Sequence, residues 1–263
     1  MKWFLLAAAA ALTAFGSAES GAQSNRERAE EHFREAARLM RMGSHQAAVA
    51  LLDSAVMLDP AMAQAYSSRG TAYKMLGRNE SALADYSRAI ELEPKYADGY
   101  YNRGHVHNLM NDYQQAINDF TRGIGLDPGN PDAYNQRGVF YLGFGNEEAA
   151  LADFAKALEL DPDLAPAYLN RGNVHFGMDN FRAAIEDYTR SLALNAKQPE
   201  AHYQRGLAHD MLNEMDKALD DMITASTLGS AGAQEWLDRH EPKAPKTPEK
   251  KPAPAKKKAR GQR

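Results

Sequence analysis

The chain has 263 residues, 44% hydrophobic and 25% charged, and contains no cysteine. This is a globular composition with enough apolar side chain for a core, and the lack of cysteine excludes a disulfide scaffold, a thiolate metal site and a cysteine nucleophile. A net charge of −4 conceals an acidic body of −12 over residues 19–240 and a basic end, residues 241–263, with nine Lys/Arg against two Glu.

At the N-terminus Lys2 precedes Trp3-Phe4-Leu5-Leu6 and an alanine-rich run to Phe15. The apolar stretch is about a dozen residues, short of the roughly 20 that span a bilayer. Gly16-Ser17-Ala18 and Ser20-Gly21-Ala22 both fit a small-x-Ala cleavage site. Residues 1–22 are therefore read as a secretory signal peptide, with a mature chain that starts at Glu19 or Gln23, is periplasmic or secreted, and spans no membrane. Residues 23–28 are read as a short linker.

From there the sequence repeats. Gly70, Gly104, Gly138, Gly172 and Gly206 are each 34 residues apart, and with that glycine as position 8 the other positions fall into phase. Position 4 holds Tyr66, Tyr100, Tyr134, Tyr168 and His202. Position 20 is alanine from Ala48 to Ala218, and position 24 is Leu52, Tyr86, Phe120, Phe154, Tyr188 and Met222. Position 32 is Pro60, Pro94, Pro128 and Pro162, lapsing to Ala196 and Ser230. Six units result: 29–62, 63–96, 97–130, 131–164, 165–198 and 199–232. Apolar or small residues recur in steps of three and four, which predicts two amphipathic helices per unit, A and B. Gly43, Gly77, Asn111, Gly145, Asp179 and Asn213 at position 15 tolerate the left-handed conformation that ends helix A. The proline at position 32 ends helix B. Glycine and alanine at positions 8 and 20 predict close helix axes, with the aromatics at 4, 11 and 24 filling the space between units. Trp236 and Arg239 continue the phase, so 233–240 is predicted as a lone helix A that caps the array.

A period of 34 carrying Tyr66-x-x-Arg69-Gly70-x-x-Tyr73, Ala82, Tyr86, Ala89 and Pro94 resembles the tetratricopeptide repeat family. The resemblance covers residues 29–240. It implies an all-α, right-handed α-solenoid of stacked helix–turn–helix repeats, and a non-enzymatic scaffold that binds a protein or peptide in a concave groove. The groove positions of helix A map onto Lys74, Met75, Tyr101, Asn102, His105, Asn108 and Leu109, then Asn135, Val139 and Leu142, then Leu169, Asn170, Asn173 and Phe176, and finally Tyr203. Exposed rings and amides there suit an extended peptide. Some family members clamp a terminal carboxylate. Asn102, Asn170 and Asn173 match the clamp's asparagines, but its lysines and later arginine are absent, so no such clamp is expected.

Charged pairs recur as well. Arg69, Arg103, Arg137, Arg171 and Arg205 at position 7 accompany Asp85, Asp119, Asp153, Asp187 and Asp221 at position 23. They predict structural ion pairs, either across one hairpin, since 7 and 23 are equidistant from the turn, or from each Asp to the Arg of the next unit. His107, His175 and His209 replace packing residues at position 11 and are read as hydrogen-bonded core imidazoles. His105 and His107 lack the i, i+4 spacing of a zinc helix, so no metal or other cofactor is expected. Gly123-x-Gly125 and Gly143-x-Gly145 fall inside the helical phase and are not phosphate loops. No nucleophile meets a base, and no enzyme is expected.

Pro242–Arg263 has five prolines and nine basic residues, too little apolar surface to fold, and is predicted disordered. Its Lys run is unspecific for nucleic acid and fits an anionic envelope polymer or surface. The expectation is thus an interaction scaffold of the cell envelope, with a polyanion-binding tail on a repeat spacer as the alternative. The partner and the oligomeric state are not specified by the sequence.

Overall fold

The computed structural model describes residues 23–240. Those residues form thirteen α-helices and no strand. In chain order they are α1 (23–41), α2 (His45–Leu58), α3 (Ala63–Met75), α4 (Asn79–Leu92), α5 (Ala97–Leu109), α6 (Tyr113–Leu126), α7 (Pro131–Gly143), α8 (Glu147–Leu160), α9 (Ala165–Gly177), α10 (Phe181–Leu194), α11 (Pro199–Met211), α12 (Met215–Thr227) and α13 (Ala231–His240). The expected architecture of stacked helix–turn–helix repeats is the one found. The segments expected to be a signal peptide and a disordered basic tail lie outside the described residues.

The linker expected at 23–28 is instead helical and opens α1, exposed on all sides. Ser-Asn-Arg-Glu-Arg contains no breaker, and extending a helix that already exists costs far less than nucleating one. The cap begins at Ala231, two residues early, where Ser230 Oγ accepts the Ala233 N–H.

Position 15 is left-handed in every repeat. Gly43, Gly77 and Gly145 have φ of 74°, 71° and 84°, and Asn111, Asp179 and Asn213 all have 59°. Helix B stops at position 30 in the first five repeats, followed by an extended residue such as Asp59 (φ −131°). Proline two residues on enforces that geometry. Asn195 adopts it before Ala196 without one, so the proline reinforces a stop that is set elsewhere.

The chain divides into two compact units, one ending at Ala196 and one starting at Lys197. In the first, each A helix packs on its own B helix and each B helix on the next A helix, from α2 against α3 to α8 against α9. Neighbouring A helices also touch directly, α3 with α5 and α7 with α9, and so line one side together. In the second unit α11 packs on α12, and α12 on α13, around Met222, Ala225 and Trp236.

The side chains at position 24 are at most 1% exposed in every repeat. As expected they fill the space between units, Phe120 meeting Phe140 of the next repeat with centroids 4.9 Å apart and Phe154 clustering with Val174, and they also pack within their own hairpin. A Cβ on Gly104, Gly138 or Gly172 would come within 2.7, 2.6 and 2.7 Å of Phe120, Phe154 and Tyr188 respectively. Glycine at position 8 is the slot into which the aromatic ring closes, and each ring buried this way contributes about 1.5–3 kcal/mol.

Candidate functional site

The five Arg–Asp pairs all close within one repeat. Each Arg donates through Nε and Nη2 to the two carboxylate oxygens of the Asp sixteen residues on, at 2.6–2.9 Å. The aspartates are 5–6% exposed, and the position-4 tyrosines of the second to fifth repeats lie beside the guanidinium carbons, as Tyr134 does 5.6 Å from Arg137. Sequence reasoning missed the third nitrogen. Nη1 of Arg69, Arg103 and Arg137 donates back to Asp53, Ser87 and Thr121 at position 25 of the preceding repeat. The pair is internal and its guanidinium also bridges units. The oxygen at position 25 in three successive repeats was the available signal.

The A-helix side of the first unit carries most of the predicted groove, with its floor held by hydrogen bonds. Asn170 Nδ2 donates to Asn135 Oδ1 at 3.0 Å, joining two repeats, and the Tyr188 hydroxyl donates to Asn173 Oδ1 at 2.9 Å. Asn102, Asn108, Leu169 and Phe176 are half-buried, as are Val139 and Leu142, which pack on the Phe154 cluster. Phe176 meets Phe181 with ring centroids 5.3 Å apart. Lys74, Met75, His105, Asn108 and Leu109 surround an open depression of about 450 Å³.

Two predicted contact residues are not exposed. Asn135 is 4% exposed and is held by Asn170. Tyr101 is 9% exposed, its ring against Phe120 (centroids 5.0 Å apart) and over Gly123, where a Cβ would come 2.2 Å from the ring. Its hydroxyl has no hydrogen-bond partner, and burial pushes its pKa up to about 12. Tyr101 is thus a floor residue, not a projecting anchor. Tyr203 belongs to the second unit, where it packs on the Met222–Trp236 cluster.

The histidines divide. His105 packs edge-on to Phe120 and Phe140, and burial, with Lys74 nearby, lowers its pKa. It therefore stays neutral near pH 7. His209 bonds Glu214 at 2.8 Å, as expected of a core imidazole. His107 and His175 depart from that expectation, since Nδ1 of each is buried without a partner. Asp112 is one methylene shorter than Glu214 and already caps α6 at Gln115, so its free oxygen stays 3.7 Å from His107. No group of three or more potential metal ligands occurs among the described residues. None of their helices is long and apolar enough to cross a membrane.

Comparison with known proteins gives the family. The TPR repeat family matches residues 72–111 and 145–179, and the Tetratricopeptide repeat family matches 97–130 and 165–197. No curated protein sequence matches the chain. Among solved structures, PilF of Pseudomonas aeruginosa is 16% identical over 82% of this chain and 99% of its own, with a TM-score of 0.70. MamA from Desulfovibrio magneticus RS-1 is 22% identical, covering 65% and 97%, at 0.61. YrrB, described as a TPR protein with an unusual peptide-binding site, is 20% identical, covering 71% and 97%, at 0.58. At these identities the likeness is one of fold.

Proposed function

This chain belongs to the tetratricopeptide repeat family, and on that basis we propose that it is a non-enzymatic scaffold whose first unit holds an extended segment of a partner protein along its A helices. The observation that carries the reading is the row of half-buried amides and apolar side chains on α5, α7 and α9, set on a floor fixed by Asn135–Asn170 and Asn173–Tyr188. Amides bond an extended backbone, while pre-set rotamers lower the entropy lost on binding. YrrB offers precedent for a peptide site on this fold. The contact set is Lys74, Asn102, His105, Asn108, Val139, Leu142, Leu169, Asn170, Asn173 and Phe176, supported from beneath by Tyr101 and Asn135.

The short apolar run behind Lys2 and the two small-x-Ala sites support a place outside the cytoplasm, in the cell envelope or beyond. Because the chain has no cysteine, a single introduced thiol reports one position. Asn102→Cys on the groove and Arg122→Cys on exposed α6 are each labelled with an environment-sensitive dye, and partners are captured from envelope extracts. The expected result is that a captured partner shifts the dye at position 102 and protects that thiol, but not the one at 122. Equal response at both sites would refute the groove, and loss of capture on deleting 241–263 would move the function to the tail.

A further inference from the structure

Lys74 lies in the last turn of α3, half-buried against the next repeat beside His105 and Asn108. The cations packed at position 7 of the second to fifth repeats each have an aspartate at 2.6–2.9 Å. Lys74 has no ion-pair partner among the described residues. Burial alone moves its pKa, downward, and no acid acts to raise it again. A helix C-terminus favours a lysine, but it does not explain a partly desolvated one without a counter-ion.

The charge pattern of the face agrees. Residues 23–196 hold 24 acidic against 17 basic side chains. Positions 5, 6, 9, 12 and 13 of the first five A helices carry Arg34, Arg41 and Lys74 and no carboxylate, while the remaining groove position, 2, carries Glu30, Asp98 and Asp132. The residues that surround the depression itself include a cation and no carboxylate. Around the depression, Asn108 and the neutral His105 each present a donor, while Met75 and Leu109, 58% and 57% exposed, form its apolar rim.

We propose that this depression takes an aspartate or glutamate side chain of an extended partner segment, with a neighbouring apolar side chain of that segment lying on Met75 and Leu109. The inference rests on the groove reading above and names the chemistry of its ligand. The acid receives a charge-assisted bond from Lys74 and a second from Asn108, and it supplies the counter-ion the folded chain lacks. A strongly basic segment would strand Lys74 and is rejected.

The test pans a phage-displayed library of random peptides over the immobilised full-length chain. Recovered peptides are then titrated against wild type, K74Q, K74R and N102W, the last obstructing the groove beside the depression; melting curves first establish that each variant is folded. Recovered peptides should carry Asp or Glu next to Leu, Met or Phe and lose about tenfold in affinity on K74Q but little on K74R. Replacing the acid by its amide should cost wild type the same factor and K74Q nothing further, a coupling that needs no stable loss-of-charge variant to be seen in wild type. Groove peptides lost on N102W that are neutral or basic, or acidic but indifferent to K74Q, overturn this inference and leave the groove reading standing. Peptides indifferent to both variants, or no recovered peptide, overturn both.

Discussion

Arg137 places two guanidinium nitrogens on Asp153 and the third on Thr121, and the two partners differ greatly in burial. Asp153 is 6% exposed, so Asp153→Ala strands a buried cation and should cost about 3–5 kcal/mol in a denaturant titration. Thr121 is exposed, and Thr121→Ala should cost no more than about 0.5–1 kcal/mol. That these arginines and aspartates pair was legible from their shared phase, but whether they close within a repeat or between repeats was not. Nor was the link to the preceding repeat, because Asp53, Ser87 and Thr121 share only an oxygen and the next residue in phase is Ala155. Histidine gives the pH prediction. Burial lowers the pKa of both His105 and His107 in the folded chain below the ordinary value of about 6.5. Folding therefore favours the neutral rings. Stability is intact above about pH 6.5, is lost as pH falls from there through the folded-state pKa values, and changes no further on their account below them. Denaturation midpoints at descending pH should show this loss, and His105→Gln should shrink it.

Helix α6 contains two glycines with opposite purposes. At Gly123 an added Cβ would sit 2.2 Å from the Tyr101 ring, whereas at Gly125 nothing lies within 4 Å. Gly123→Ala should therefore destabilise by about 1–3 kcal/mol, through overpacking against a ring with no room to retreat. Gly125→Ala should stabilise by about 0.5–1 kcal/mol, by removing backbone freedom from the unfolded chain. Thermal or urea melts of the two single variants check both signs. These glycines also mark where the sequence misled. Repeat phase placed Tyr101 on the groove surface, and it is on the right helix and in the right row. Its burial depended on position 27, where the other repeats have Ala55, Ala89, Ala157, Ser191 and Ala225 and only this one has glycine. A ring on one helix and a missing methyl on another become related only once the helices are packed. Apart from the six residues by which α1 opens early, the helices themselves were legible to within a residue or two, since position 15 and position 30 recur in every copy or nearly so.

Within the first unit, stability is shared out along the chain, each hairpin resting on its neighbours. The boundary after Ala196 coincides with the first lapse of the position-32 proline, a break that the uninterrupted repeat phase concealed. A chain of residues 23–196 should thus keep the mean residue ellipticity of its helices and melt cooperatively; collapse to a non-helical chain would mean that the division has no energetic counterpart. The Arg–Asp bridge has a further consequence, for how such a chain can lengthen in evolution. Each arginine finds one acceptor sixteen residues ahead in its own copy, and in the second to fourth repeats another at position 25 of the copy before. A genetic duplication of 34 codons, begun at any point inside the third or fourth repeat, returns every arginine to an aspartate sixteen residues ahead. An insertion of any other length between positions 7 and 23 separates guanidinium from carboxylate inside the core. The gene is free to grow, but only in whole cassettes.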